Sequence, residues 1–181
     1  MHTKPSPSYL SGYPLVLTEQ VQQLIKQGLL TNILLQKYPQ AHTIRSDKAL
    51  YDYVLEIKGQ YLRNAGQLSK VAFDGKLHVI QHALGTHTSI SRIQGTKLRA
   101  KREIRIAELF KEMPLDFLRM IVVHELAHIK DREHNKAFYQ LCRHMEPDYH
   151  QLEFDLRAYL TYLEATGKPL WSATSVNTVS P

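Results

Sequence analysis

The stretch MIVVHELAHIKDREH, residues 120–134, decides how this chain is read. From Met120 to Ile129 its only polar residues are His124, Glu125 and His128, and everything else is aliphatic, alanine or methionine. Such a run predicts a buried helix. Burying two imidazoles and a carboxylate there is costly unless something pairs with them. Residues four apart share a helical face, with Cβ atoms about 5–6 Å apart, so His124 and His128 can bind one cation together. Glu125 sits one step round the helix, where it can reach a water on that cation without being a ligand. This is the HExxH arrangement of zinc hydrolases.

Two histidines leave a zinc site incomplete, because a catalytic site has three protein ligands and an open position for water. His134 is the expected third ligand. A straight helix would carry it about 9 Å past His128, so the helix must end near Ile129 or Lys130 and the chain must fold back. The polar run from Lys130 to Glu133 suits a turn, with Asp131 the residue that best tolerates a left-handed backbone. Glu146, Glu153 and His144, further along, are alternative third ligands, and Cys142 would be the fourth ligand of a closed, structural site. At this histidine content a chance HExxH arises in roughly 3% of shuffled chains, and a further histidine at one fixed offset lowers this to about 0.2%. That difference favours a metal site over a helix of buried, hydrogen-bonded histidines.

The chain has 181 residues, 43% of them hydrophobic, which suits one globular domain with a real core. No apolar run approaches a membrane span, and the run from Tyr13 to Leu17 is too short for a secretory signal. The one cysteine, Cys142, cannot form an internal disulfide, so a cytoplasmic location is expected. A net charge of +6 favours an anionic partner such as a nucleotide or nucleic acid.

In order, residues 1–17 read as a flexible leader and residues 18–66 as an N-terminal helical segment packed on the core. Thr18 is the expected cap of the first helix, Gly28 its interruption and Pro39 its end. Ser46 or Asp47 starts another helix that stops near Asn64–Gly66. Residues 67–167 form the main domain. The period changes there: Leu68 to Phe73 has strand character, Asp74-Gly75 is a two-residue hairpin signal, and Leu77 to Ile80 is expected to pair back. Lys97 to Ile106 alternates charged and apolar residues, the pattern of a solvated strand face or, alternatively, of an edge strand beside the metal cleft. Its Arg99, Lys101 and Arg105 are candidate substrate-binding cations. Asn135 caps a helix over Lys136–Met145, and a last helix spans roughly Asp148–Ala165 before Gly167. Residues 168–181 read as a mobile tail, partly docked by Trp171. Tyr139 and Tyr149 flank the motif; aromatic core packing is the first reading of both, and a hydroxyl offered to substrate is the alternative, with Tyr149 the candidate for substrate binding. The class is α+β, with a small antiparallel or mixed sheet packed on the buried motif helix.

The stretch from Arg105 to Tyr149 resembles the YgjP-like metal-dependent hydrolases, a group of small bacterial zincin-like proteins. The shared features are a proline before the apolar run, HELAH, a third histidine five residues on, the pair Phe138 and Tyr139, and the later Pro147 and Tyr149. The resemblance implies a zincin-like fold, metal ligands at His124, His128 and His134, and a catalytic Glu125. Proteases of the SprT type, which act on DNA-bound proteins, are similar in the HExxH helix.

The expected function is therefore a metal-dependent hydrolase of metallopeptidase type, with one Zn2+ per chain or another divalent transition metal. The metal activates a water, and Glu125 takes its proton. The expected substrate is a peptide or another small hydrolysable molecule. An alternative is hydrolysis of a nucleoside triphosphate at the same site, since some relatives in that group are described as nucleotide pyrophosphatases. No glycine-rich phosphate loop accompanies it.

Overall fold

A computed structural model describes residues 8–77 and 102–172. Among the described residues six α-helices, α1 (Leu15–Lys26), α2 (Leu29–Lys37), α3 (Asp47–Tyr61), α4 (Leu115–Ala127), α5 (Lys136–Met145) and α6 (Tyr149–Thr166), accompany two strands, β1 (Leu68–Asp74) and β2 (Arg102–Ala107). A short 3-10 turn, Glu108–Glu112, leads from β2 into α4.

Local sequence sets most of these boundaries. Gly28 adopts φ +68°, a left-handed conformation that glycine reaches without steric cost, and so separates α1 from α2. Gly167 ends α6 in the same way at φ +65°. The Ser46 side chain accepts the Ala49 N–H at 3.1 Å and caps α3. The first helix begins earlier than Thr18, because the Pro14 carbonyl already accepts from Leu17 and Thr18. The residues before it are not loose throughout: Leu10 is buried, and the Tyr9 carbonyl accepts from Arg157 on α6 at 3.0 Å.

The sheet corrects the expected topology. β1 and β2 pair in parallel, with Val71 opposite Ile104 and Phe73 opposite Ile106, and not as an antiparallel hairpin. The turn after β1 does form, with the Asp74 carbonyl accepting from Leu77 and its carboxylate from Lys76. Leu77 is not in a strand, and the rest of the expected return strand lies outside the described residues. A parallel partner needs a long crossover, which residues 75–101 are long enough to provide. Pairing follows burial: Ile104, Ile106 and Ala107 join Leu68, Val71 and Ala72 in the core.

α4 is the centre of the molecule and packs against α3, β2, α5 and α6. Nine of its thirteen residues are buried, which is why the run is apolar on nearly every side. The N-terminal helices are tied to α6 through Asp155, a buried carboxylate that accepts from Lys37, from Tyr38 Oη at 2.6 Å and from Gln151 at 2.9 Å. Trp171 docks the chain after α6, donating from its indole to the Tyr38 carbonyl at 2.7 Å and stacking edge-on against Phe117 of α4. His42 braces the 3-10 turn. The Ile44 N–H donates to its Nδ1, which leaves Nε2–H to donate to the Phe110 carbonyl at 2.7 Å. Both bonds need a neutral ring, and burial holds its pKa below the ordinary value. No described helix is long and apolar enough to cross a membrane.

Candidate metal centre

α4 delivers His124 and Glu125 from its last turn, and His128 is the residue that closes it. The N–H groups of Lys130 and Asp131 both bond the Ala127 carbonyl at 3.0 Å, so the helix stops and the chain reverses. Asp131 does this without a left-handed backbone, since among the described residues only glycines have positive φ. Its carboxylate instead accepts the Asn135 side-chain amide at 2.8 Å, while Asn135 Oδ1 caps α5 by accepting the Phe138 N–H at 2.9 Å. One asparagine thus pins both ends of the segment that carries His134 back toward α4.

The result is a triangle of imidazole nitrogens. The Nε2 atoms lie 3.2 Å apart between His124 and His128, 3.3 Å between His124 and His134, and 3.0 Å between His128 and His134. Among the described residues this is the group that could hold a metal ion. Its edges fit a tetrahedral zinc, for which Zn–N bonds of ~2.05 Å place ligand nitrogens ~3.3 Å apart.

Proton placement supports the same reading. His128 Nδ1 lies 3.0 Å from the Asp131 carbonyl, which can only accept, so Nδ1 carries the hydrogen and Nε2 presents a lone pair. His124 Nδ1 lies 2.7 Å from Tyr149 Oη. Burial, then the charges of His128 and His134, hold the His124 pKa well below its ordinary value, so its ring stays neutral. A neutral His124 ring and a His128 Nε2 lone pair, with the His134 nitrogen facing both, suit a cation held between them. Beneath them Phe138 packs its ring against all three imidazoles, at centroid distances of 5.0, 4.6 and 4.8 Å.

Glu125 is 3% exposed, and burial alone pushes its carboxyl well above the ordinary range. No described residue donates a hydrogen bond to it. A buried carboxylate with no protein partner needs a cation or a water close by, and the histidine triangle begins on the adjacent residue.

The other expected site residues divide. Tyr149 is fully buried, with its hydroxyl on His124, which agrees with the core-packing reading and not with a hydroxyl facing substrate. Arg99 and Lys101 lie outside the described residues. Arg105 is on β2, where its guanidinium binds Asp74 at 2.9 Å and Glu103 at 3.4 Å. The alternative ligands point elsewhere: Glu146 pairs with Arg119 at 2.6 Å, Glu153 with Arg157 at 3.2 Å, and His144 packs edge-on against Tyr61. Cys142 is buried behind Tyr149 and outside the histidine group; burial and the Glu153 charge push its thiol up to about 12, against a hydrogen bond from Tyr149.

The YgjP-like metallopeptidase-domain model matches residues 57–159, which include the histidine triangle and Glu125. The chain belongs to the YgjP-like family. It is similar to the UTP pyrophosphatase of Escherichia coli (strain K12), with 57% identity over 156 residues, covering 86% of this chain and 93% of that protein. No solved structure matches. Membership supports a metal-dependent hydrolase with a histidine-rich site that could bind the metal.

Within that family frame, Tyr149 acts on the site through His124. For His124 Nε2 to offer a lone pair, Nδ1–H must donate to the tyrosine oxygen. Tyr149→Phe preserves the ring and removes the acceptor. Zinc affinity, measured by competition with a chelating dye, should fall about 10–100-fold. An unchanged affinity would mean that the hydroxyl does not orient the ligand.

Proposed function

We propose that this chain is a zinc-dependent nucleoside triphosphate pyrophosphatase that accepts UTP, with His124, His128 and His134 as the ligands and Glu125 as the general base. The observation that carries the nucleotide reading is the 57% identity to a UTP pyrophosphatase across 93% of that protein's length. The net charge of +6 agrees with an anionic substrate.

When bound at the three imidazoles, a zinc ion supplies Lewis acidity: it makes water easier to deprotonate and offsets phosphate charge. The protein's own groups do the rest. His124 and His128 are set on one rigid helical face, and Asn135 fixes the turn that brings His134 to them. Glu125 takes a proton from the attacking water. The water oxygen bonds to the α-phosphorus, the bond from that phosphorus to the α–β bridging oxygen breaks, the proton on Glu125 passes to the leaving pyrophosphate, and UMP and pyrophosphate result. Burial favours the protonated form of Glu125, so its carboxylate is a stronger base than one in water.

Peptide hydrolysis is the second reading, favoured by the metallopeptidase description of the family. The same carboxylate would then serve, with its proton passing to the leaving amine. Zinc-loaded protein incubated in parallel with UTP and with unfolded casein separates the two. The nucleotide reading expects UMP and pyrophosphate from UTP and intact casein. Casein cleavage with UTP untouched would overturn it in favour of a peptidase.

A further inference from the structure

Two aromatic side chains beside the histidine triangle supply none of its three nitrogens. α5 turns Phe138 inward under the imidazoles and the next residue, Tyr139, to the side. The Tyr139 ring stands 6.2 Å from His134 and 5.4 Å from His150, which lies in the first turn of α6. Tyr139 is half-buried and His150 is exposed, whereas Phe138 and Tyr149 are fully buried and already fill the space between α5 and α6. No described residue hydrogen-bonds the Tyr139 hydroxyl. A half-buried ring and an exposed one thus adjoin a cluster of nitrogens that could hold a metal.

We propose that Tyr139 and His150 form the platform on which the nucleobase of the substrate stacks. The inference rests on the nucleotide reading above and extends it to the residues that recognise the nucleoside. In a nucleoside triphosphate a ribose separates the base from its α-phosphorus. With the Tyr139 ring 6.2 Å from that of His134, a base held on Tyr139 can extend its ribose and phosphates toward the histidine group. Stacking on an aromatic face suits any base, because every base has a π-face. Such a platform binds the nucleoside without choosing uracil by hydrogen bonding.

The test is the UTP kinetics of zinc-loaded Tyr139→Ala, Tyr139→Phe and His150→Ala beside the unaltered protein. Loss of one stacking contact weakens base binding about 5–150-fold. Tyr139→Ala should therefore raise KM for UTP roughly tenfold with kcat within about twofold, the sign of binding lost equally from ground and transition states. Tyr139→Phe, which keeps the ring, should restore KM. His150→Ala, at an exposed position, should raise KM by a smaller factor. Calorimetric titration with UMP should rank the four proteins in the same order.

The proposal is overturned if KM and UMP affinity are unmoved in both alanine variants, or if Tyr139→Ala lowers kcat alone, which marks a packing role. If the unaltered protein cleaves UTP and KM does not move, only the platform fails. If it cleaves no nucleotide and binds no UMP, the nucleotide reading fails and the platform with it.

Discussion

Glu125→Gln should lower UTP turnover by about 10²–10⁴-fold, the contribution of a positioned general base, while the purified variant retains zinc at the stoichiometry of the unaltered protein. The substitution is nearly isosteric and removes one capacity, that of accepting a proton from water. Elemental analysis and initial rates on the same preparation decide the matter. Full turnover in the variant would remove Glu125 from the reaction, and loss of zinc together with activity would make it a ligand. Stability supplies an independent sign. Burial raises the Glu125 pKa in the folded chain above its unfolded value. Metal-free protein should therefore lose stability as pH rises from the unfolded pKa toward the folded one, because folding then buries a charge. Glutamine carries no such charge, so the metal-free variant should melt at the same temperature or higher near neutral pH.

That this experiment can be designed around one residue reflects how local the information in residues 120–134 is. A helix apolar on nearly all sides, with polar groups four apart, has few structural meanings. The cap at Asn135 likewise fixes the start of α5 by a side-chain bond to Phe138 N–H, a relation contained in four consecutive residues. What escaped sequence reasoning was non-local. Asp74-Gly75 is a good turn and forms one, but the partner of β1 is chosen by which strand can bury Ile104 and Ile106 against α4, so the sheet is parallel. Tyr149 shows the same limit. Its place after Pro147 indicates the start of a helix, whereas the direction of its hydroxyl depends on how α6 crosses α4. Phe138 is recognisable as an inward residue from its spacing with Cys142 and Met145, all three buried on one face of α5. That this face lies beneath three imidazoles follows only once the chain has folded back at Lys130 and Asp131.

On the proposed zinc site, His134→Ala should abolish zinc-dependent stabilisation of the folded chain. A ligand that binds only the native state at a thousandfold excess over its Kd adds about 4 kcal/mol, a rise in Tm on the order of 10 °C for a chain of this size. Removing His134 leaves two nitrogens 3.2 Å apart on one helix and no third side to the site. The zinc-dependent rise should then shrink to about 2 °C or less. Metal-free His134→Ala should melt close to the metal-free unaltered protein, because His134 is only partly buried and the Asn135 bonds that fold its segment back remain in place. His144→Ala is the matched control: it also removes one histidine, from a ring that packs on Tyr61 away from the triangle, and should keep the full zinc response. Calorimetry of the three proteins, each with excess zinc and with chelator, reads all of these quantities. A zinc response undiminished in His134→Ala would show that the cation is held without the turn that Asp131 and Asn135 build, and the convergence of the three Nε2 atoms would then have no role in binding.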